Sequence, residues 1–155
     1  MVIRDDVLRP EELEEEGTSV PVDDDDEDLE FFQEVLASID PAIRCVMARN
    51  CQEAFEILKH LIPDVLFLDI NMPRANGLEC FHHLRQTENL KKIPVVFCST
   101  AVNPVNVKYL LSSTVKFITK EPIFRQAKIS IASVLDDLHL LPAKEKDVVG
   151  LNERK

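Results

Sequence analysis

The chain lacks the features that would place it in a membrane or outside the cell. None of its apolar runs approaches the roughly 20 residues that a membrane-spanning helix needs. Residues 1–17, MVIRDDVLRPEELEEEG, have neither the basic start nor the apolar core of a secretory signal. We therefore expect a cytoplasmic protein without a membrane partner.

Basic side chains are also scarce. The 155 residues include 28 Asp and Glu but 18 Lys and Arg, so the formal net charge is −10. Because phosphate binding needs a basic surface, this balance argues against nucleic acid as the partner. The acidity is local, since residues 1–30 hold 14 acidic and 2 basic side chains. Hydrophobic residues still make up 45% of the chain, enough for the core of one compact domain.

The cysteine spacing contains no CxxC pair. The four cysteines stand at positions 45, 51, 80 and 98, which indicates neither a zinc site nor a redox motif. Cys45 and Cys98 lie in apolar runs, and this predicts that they are small buried side chains. A chain with all four cysteines reduced is the simplest interpretation.

Short apolar runs alternate with helical patterns along the middle of the chain. The runs predict five strands, at 19–22, 42–48, 64–68, 93–98 and 115–118. Strands that are apolar on both faces favour a parallel sheet covered by helices, so we expect an α/β, doubly wound fold. We predict an acidic, flexible arm over residues 1–18, the folded domain over 19–138 and a polar tail over 139–155. The first predicted strand is short and contains Pro21, which cannot donate a hydrogen bond within a sheet.

Each helical pattern follows a predicted strand. The segment Asn50–Leu61 has Asn50 as a suitable N-cap with Glu53 three residues later. Asn103 and Pro104 have the composition of a helix start after the fourth strand, and Ile123–Leu138 has the spacing of a last helix. The sequence therefore predicts five strand–helix units.

Polar side chains follow the carboxyl ends of these strands, where doubly wound sheets bind ligands. The run Asp23–Asp26 follows the first strand, and Asp69, Ser99 and Lys120 follow the third, fourth and fifth. Because clustered carboxylates repel one another, we expect a divalent cation, and Mg²⁺ suits such oxygen ligands. An aspartate held beside Mg²⁺ and a lysine stays ionised and can act as a nucleophile toward phosphorus.

These motifs resemble the receiver domain of two-component response regulators. The resemblance rests on Asp23-Asp24, on DVLFLDINMPRANGLE around Asp69, on Ser99-Thr100 and on KFITK ending at Lys120. It implies a flavodoxin-like (βα)5 fold with strand order 2-1-3-4-5 over residues 19–138. It also implies a phosphoacceptor signalling module rather than an enzyme with a diffusible substrate. No output domain follows in the sequence, so we expect a single-domain regulator.

The resemblance also implies roles for individual residues. Asp69 would accept a phosphoryl group from a sensor histidine kinase or a histidine phosphotransferase. Asp23, Asp24 and Asp69 would bind Mg²⁺ together with the backbone carbonyl of Asn71. Ser99 would be the switch hydroxyl and Lys120 the counter-charge of the phosphoryl group.

Signal output is implied by the same resemblance. Phe117 stands where the family carries an aromatic ring that changes rotamer on activation. We expect an output protein to bind the face formed by residues 104–138. The remaining acids of the first run, Asp25, Asp26, Glu27 and Asp28, are interpreted as a helix N-terminus or a solvated face.

Two alternatives remain open at the level of sequence. The family usually has proline directly after the lysine, whereas this chain has Glu121 between Lys120 and Pro122. This difference and Pro21 leave room for a pseudo-receiver adaptor that is not phosphorylated. A Mg²⁺-dependent phosphatase with an aspartyl nucleophile is the second alternative, although Asn71 stands where such enzymes usually carry a second aspartate.

Overall fold

The computed structural model describes residues 17–72, 77–100 and 108–141. Its strands are β1 (Thr18–Val22), β2 (Arg44–Cys45), β3 (Val65–Asp69), β4 (Val95–Ser99) and β5 (Val115–Thr119). Its α-helices are α1 (Asp26–Ile39), α2 (Cys51–Leu58), α3 (Gly77–Gln86) and α4 (Phe124–Asp137). The predicted helix start at Asn103 lies outside the described residues, and a short 3-10 turn at Lys108–Leu110 precedes β5.

The strands form one parallel sheet in the order β2-β1-β3-β4-β5. Its register pairs Val20 with Leu66, Phe67 with Val96 and Phe97 with Phe117. The predicted doubly wound α/β fold and its strand order are thereby confirmed. The carboxyl ends of β1, β3, β4 and β5 therefore lie at one edge of the sheet.

Pro21 is accommodated within the sheet. All five residues of β1 are buried, and the strand lies between β2 and β3. The Pro21 carbonyl accepts a hydrogen bond from the Ala48 N–H at 3.0 Å. Since the N–H and C=O of one strand residue point to the same neighbour, the donor that proline lacks would face the short edge strand β2. The proline thus leaves the ladder with β3 intact.

The two faces of the sheet bury separate apolar clusters, because alternate strand residues point to opposite faces. One cluster joins Val20, Leu66 and Leu68 to the helices α2 and α3. The other joins Val65, Phe67 and Val96 to α1 and α4. Burial on both faces explains why β3 and β4 have continuous apolar sequences.

The observed ends of the helices and strands agree in part with the ends predicted from the sequence. Asn50 caps α2 as predicted, since its side chain accepts a hydrogen bond from the Glu53 N–H at 2.8 Å. This helix ends at Leu58 rather than at residue 61. Strand β2 is much shorter than predicted, although a further bridge joins Val22 to Ala48. Within the described residues, no helix has the length and apolarity needed to cross a membrane.

One cysteine pair departs from the sequence-based expectation. Cys51 in α2 and Cys80 in α3 form a disulfide, with Cα atoms 5.9 Å apart. The prediction that all four cysteines are reduced is therefore wrong for this pair. The two cysteines are 29 residues apart in sequence, and the sheet brings them together by placing α2 and α3 on one face. Cys98 is buried as predicted, but Cys45 on the edge strand is half-buried.

Candidate functional site

Three aspartates meet at the carboxyl edge of the sheet. Asp23 follows β1 and is 7% exposed, Asp69 ends β3 and is 5% exposed, and Asp24 is exposed. Each offers one carboxylate oxygen, and these oxygens lie within 4.8 Å of one another. Carboxylate oxygens at this spacing suit a hard divalent cation such as Mg²⁺. The predicted convergence of the strand ends is therefore present.

The turn from β1 into α1 separates the acidic side chains. The Asp23 N–H donates to the Ala48 carbonyl at 3.0 Å, and the Asp23 carboxylate accepts from the Asp25 N–H at 3.0 Å. Asp25 caps α1 by accepting hydrogen bonds from two backbone N–H groups of the first turn. Asp26 is exposed and pairs with Arg49, whose Nε lies 2.7 Å from its carboxylate. Asp25 and Asp26 therefore behave as predicted, as a helix N-terminus and a solvated face.

Lys120 reaches into the acidic cluster. Its Nζ lies 2.7 Å from Asp23, 3.0 Å from Asp28 and 3.3 Å from Asp69, measured to one carboxylate oxygen of each. Its backbone N–H donates to the Ser99 carbonyl at 2.7 Å, which fixes the end of β5 against β4. The presence of Glu121 after the lysine thus does not remove the ammonium group from the site.

Asp28 is a contact of the site that the sequence-based interpretation did not include. We interpreted it as part of a helix N-terminus or a solvated face, and it does lie in the first turn of α1. Its carboxylate also accepts a hydrogen bond from the Lys120 ammonium. Asp28 lies in the first turn of α1, four residues before Phe32, whose ring contacts Phe67 of the sheet. This spacing places Asp28 on the inward side of the helix. The periodicity of α1 was thus the signal that could have identified it.

The electrostatic environment opposes ionisation of the two buried aspartates. Burial, together with the neighbouring Asp23 charge, raises the pKa of Asp69 to about 6, although Lys120 and the Asn71 N–H act in the opposite direction. Burial likewise raises the pKa of Asp23. For Lys120, burial disfavours the charge, but hydrogen bonds to Asp23 and Asp28 outweigh it and raise the pKa. A divalent cation would favour the ionised carboxylates.

Asn71 connects Asp69 to Ser99. Its backbone N–H donates to the Asp69 carboxylate at 3.3 Å, and its side-chain Nδ2 donates to the Ser99 Oγ at 3.3 Å. Ser99 is buried at the end of β4. Sequence reasoning considered the Asn71 carbonyl and missed this side-chain contact. The predicted roles of the carbonyl and of the Ser99 hydroxyl remain predictions.

Phe117 lies apart from the carboxylates. It is half-buried in β5 and packs against the cluster on the α2 and α3 face of the sheet. On the opposite face, a cavity of about 650 Å³ opens beside the site between α1 and α4. The residues that line it include Phe32, Phe67, Ile131, Asp28 and Lys120.

Known proteins are similar to this chain in sequence and in fold. Residues 20–131 match the sequence profile described as "Response regulator receiver domain". An uncharacterized response regulatory protein of Vibrio cholerae is 32% identical over 104 residues, which cover 66% of this chain and 39% of that protein. The chain therefore matches well under half the length of this relative.

Two crystal structures resemble the fold closely. The phosphorylated cyanobacterial phytochrome response regulator RcpA superposes with a TM-score of 0.67 at 27% identity, covering 78% of this chain and 92% of RcpA. The Mn(2+)-bound form of response regulator Rcp1 superposes with a TM-score of 0.63 at 25% identity, covering 77% of this chain and 91% of Rcp1. The profile match covers most of the sequence and includes Asp23, Asp24, Asp69 and Lys120. This chain belongs to the response regulator receiver domain family.

Proposed function

We propose that Asp69 accepts a phosphoryl group from the phosphohistidine of a sensor histidine kinase or a histidine phosphotransferase. The observation that carries the proposal is the Lys120 ammonium, 3.3 Å from an Asp69 carboxylate that also belongs to a triad suited to a divalent cation. A nucleophile toward phosphorus needs neighbouring positive charge, because the phosphoryl oxygens gain charge during transfer. The protein would thus act as a signalling module that takes part in its own phosphorylation.

The donor set fits Mg²⁺. Asp23, Asp24 and Asp69 each provide a carboxylate oxygen, and the Asn71 backbone carbonyl is the predicted further ligand. Bound Mg²⁺ would neutralise phosphoryl oxygens during transfer. An Asp69 oxygen forms the new bond to phosphorus while the histidine nitrogen–phosphorus bond breaks, and the imidazole keeps the electron pair. Lys120, whose Nζ lies 3.3 Å from the Asp69 carboxylate, stabilises the charge on the phosphoryl group.

Phosphorylation would change the contacts of Ser99. The phosphoryl group adds roughly −1.5 to −2 charges and three strong acceptor oxygens. The Ser99 hydroxyl donates to one of these oxygens and leaves its contact with the Asn71 side chain. Movement toward Asp69 vacates space that the Phe117 ring can occupy, so a local charge change alters packing at β5.

The output surface is proposed on the face formed by residues 104–138. Within the part that the structure describes, this face carries large hydrophobic side chains that are exposed: Tyr109, Leu111, Ile123, Phe124 and Ile129. Large exposed apolar side chains that form a patch are typical of a surface that binds another protein. The partner would then recognise packing around Phe117 together with these side chains.

Labelling by a small phosphoryl donor tests the nucleophile. Acetyl phosphate with Mg²⁺ should add one phosphoryl mass to the intact chain, and Asp69→Asn should abolish the addition. Asp64→Asn is the matched control, because Asp64 precedes the same strand but lies at its other end. There its carboxylate accepts a hydrogen bond from the Thr18 N–H at 2.9 Å. Unchanged labelling of Asp69→Asn would contradict the assignment.

The alternatives predict different results in the same assays. A pseudo-receiver would show neither labelling nor binding of Mg²⁺ with beryllofluoride. A phosphatase would turn over a generic phosphomonoester. Phosphatase chemistry has little support here, because the Asn71 amide donates to Ser99 and has no acidic proton for acid–base catalysis.

Amide chemical shifts test the proposed output. Addition of beryllofluoride and Mg²⁺ should shift the resonances of Lys108–Leu111 and Phe117 as well as those beside Asp69. Changes confined to the neighbours of Asp69 would mean that the phosphoacceptor site is present without the switch.

A further inference from the structure

The disulfide joins a half-buried cysteine to a fully buried one. Cys51 is the first residue of α2 and is half-buried. Cys80 is the fourth residue of α3 and is 1% exposed. Cys51 packs against the same core cluster but is the more exposed residue of the pair, so a thiol in solution can approach it more readily than Cys80. The two sulfurs differ in the way that a reactive cysteine and its resolving partner differ.

Each cysteine follows a segment that holds one of the site's buried aspartates. Three residues before Cys51, the Ala48 carbonyl accepts a hydrogen bond from the Asp23 N–H at 3.0 Å. Three residues before Cys80, the Gly77 N–H donates to the Ile70 carbonyl at 3.1 Å. Gly77 also packs so closely that an added Cβ would lie 2.6 Å from the Asp69 carbonyl oxygen. The bond thus ties together the backbone supports of Asp23 and Asp69.

We propose that Cys51 and Cys80 are a reversible redox site that exchanges with low-molecular-weight disulfides, and that the closed disulfide strengthens divalent-metal binding at Asp23, Asp24 and Asp69. The second half of this inference rests on the metal site of the proposed function. The first half concerns the cysteine pair alone.

The exchange proceeds in two balanced steps. The Cys51 thiolate attacks one sulfur of the disulfide RSSR, forms a mixed disulfide and releases one thiolate RS⁻. The Cys80 thiolate then attacks the Cys51 sulfur, forms the internal disulfide and releases the second RS⁻. Two electrons pass from the cysteine sulfurs to RSSR, and the two protons of the cysteine thiols end on the two RSH molecules.

The position of Cys51 favours its role as the attacking group. Asn50 caps α2, so Cys51 lies at the amino end of the helix dipole, where a thiolate is stabilised. Cys80 lies among the buried residues on the α2 and α3 face of the sheet. The mixed disulfide should therefore form on Cys51.

Trapping the intermediate tests this asymmetry. Cys80→Ser treated with oxidised glutathione should carry one glutathione on Cys51, located by peptide mass. Cys51→Ser should carry none on Cys80. Glutathione on Cys80, or equal modification of the two variants, would overturn the assignment of roles.

Redox titration of the full chain tests reversibility. The wild-type chain is equilibrated in glutathione buffers of increasing oxidised fraction, alkylated and analysed by intact and peptide mass. We expect the Cys51–Cys80 pair to pass from two alkylated thiols to one disulfide within the series. Cys45→Ser, which removes a half-buried cysteine outside the pair, should titrate identically. A pair that remains entirely open or entirely closed across the series would overturn the proposal.

Metal affinity tests the coupling to the carboxylates. Mn²⁺ binding, measured from the electron paramagnetic resonance signal of the free ion, should weaken by about five-fold or more on reduction of the wild-type chain. Cys51→Ala/Cys80→Ala should bind like the reduced chain in both buffers, and Cys45→Ser should respond like the wild type. Equal Mn²⁺ affinity of the two redox states would overturn the coupling.

These measurements are independent of phosphoryl transfer. Failure of Asp69 labelling in both redox states would contradict the proposed function. The redox titration would still test the cysteine pair, because it does not depend on phosphoryl transfer. Labelling of Asp69 with no change in metal affinity between the two states would overturn the inference and support the proposed function.

Discussion

Four consecutive aspartates acquire different roles from the turn on which they lie. Asp23 is buried and pairs with Lys120, Asp24 is exposed and offers a metal ligand, Asp25 caps α1, and Asp26 pairs with Arg49. Their chemistry is identical, so the path of the backbone from β1 into α1 sets these roles. Substitutions along this run should consequently differ in effect from one position to the next.

The raised pKa of Asp69 predicts how stability depends on pH. The folded chain keeps a proton on Asp69 between the ordinary pKa of 3.8 and about 6, whereas the unfolded chain has released it. The free energy of unfolding therefore falls as the pH rises through this window. Asp69→Asn removes this loss and should be more stable than the wild type at pH 7, by on the order of 2 kcal/mol.

Urea unfolding in metal-free buffer between pH 4 and pH 7 measures this difference. The gap between Asp69→Asn and the wild type should shrink toward pH 4, where the folded and unfolded wild-type chains both hold the proton. Adding Mg²⁺ should stabilise the wild type and leave the variant unchanged, because a ligand that binds the folded state alone raises its stability. A variant less stable than the wild type at pH 7 would contradict the prediction.

Asp28→Asn should weaken the contacts that hold the Lys120 ammonium group. The variant removes one of the three carboxylates near the ammonium group, so the pKa of Lys120 should fall and its protons should exchange with water faster. Because Asp28 is partly exposed, solvent screens its interaction with Lys120. We therefore expect the exchange rate of the Lys120 ammonium protons to rise by at most about ten-fold. Lysine-selective ¹⁵N NMR at low temperature measures the exchange. Asp26→Asn, in the same helix turn, should leave the Lys120 signal unchanged.

At the scale of elements, the sequence predicts β3, β4 and β5 better than the edge strand β2. The predicted strands at 64–68, 93–98 and 115–118 agree with β3, β4 and β5 to within two residues at either end. β3 and β4 are buried along their whole length, so their apolar runs record the burial directly. β5 is buried at Val115 and half-buried at its other residues. The edge strand β2 pairs with β1 alone over two residues. Its predicted span of seven residues was too long because apolarity indicates burial and not pairing.

Gly77 begins α3 in close contact with the Asp69 backbone. An alanine at this position would gain about 1 kcal/mol in helix propensity, but its Cβ would lie 2.6 Å from the Asp69 carbonyl oxygen. Since backbone cannot move aside cheaply, crowding outweighs propensity, and we expect Gly77→Ala to lower the free energy of unfolding by about 1–3 kcal/mol. Acetyl phosphate labelling should slow as well, because α3 would push the Asp69 backbone.

Gly17→Ala provides the matched control for Gly77→Ala. A Cβ at Gly17 would have its nearest contact at 3.7 Å, which is ordinary van der Waals distance. Chemical denaturation of both variants should show a loss of stability at position 77 alone. Equal stability of Gly77→Ala and the wild type would mean that the start of α3 adjusts without strain.

At the scale of the whole molecule, parallel topology explains which site residues the sequence could predict. Asp69, Ser99 and Lys120 each follow an apolar strand, and a parallel sheet brings such ends to one edge whatever the details of packing. Asp28 and the Cys51–Cys80 bond could not be found in this way. Both depend on how a helix lies on the sheet. The periodicity of α1 indicates that Asp28 faces inward, but no spacing along the chain indicates that α2 and α3 bring Cys51 and Cys80 together.

The disulfide should contribute measurably to global stability. The bond closes a segment between residues 29 apart, and this segment contains β3 and Asp69. Cross-linking a loop of that length restricts the unfolded chain, so its opening should lower the free energy of unfolding by about 3 kcal/mol. Urea unfolding of the wild-type chain with the disulfide closed and with it reduced measures the change, and Cys45→Ser should show the same difference.

The reduced chain should also unfold with a steeper dependence on urea, because its denatured state exposes more surface. Equal stability of the two redox states would mean that contacts between α2 and α3 already restrain this segment without the bond.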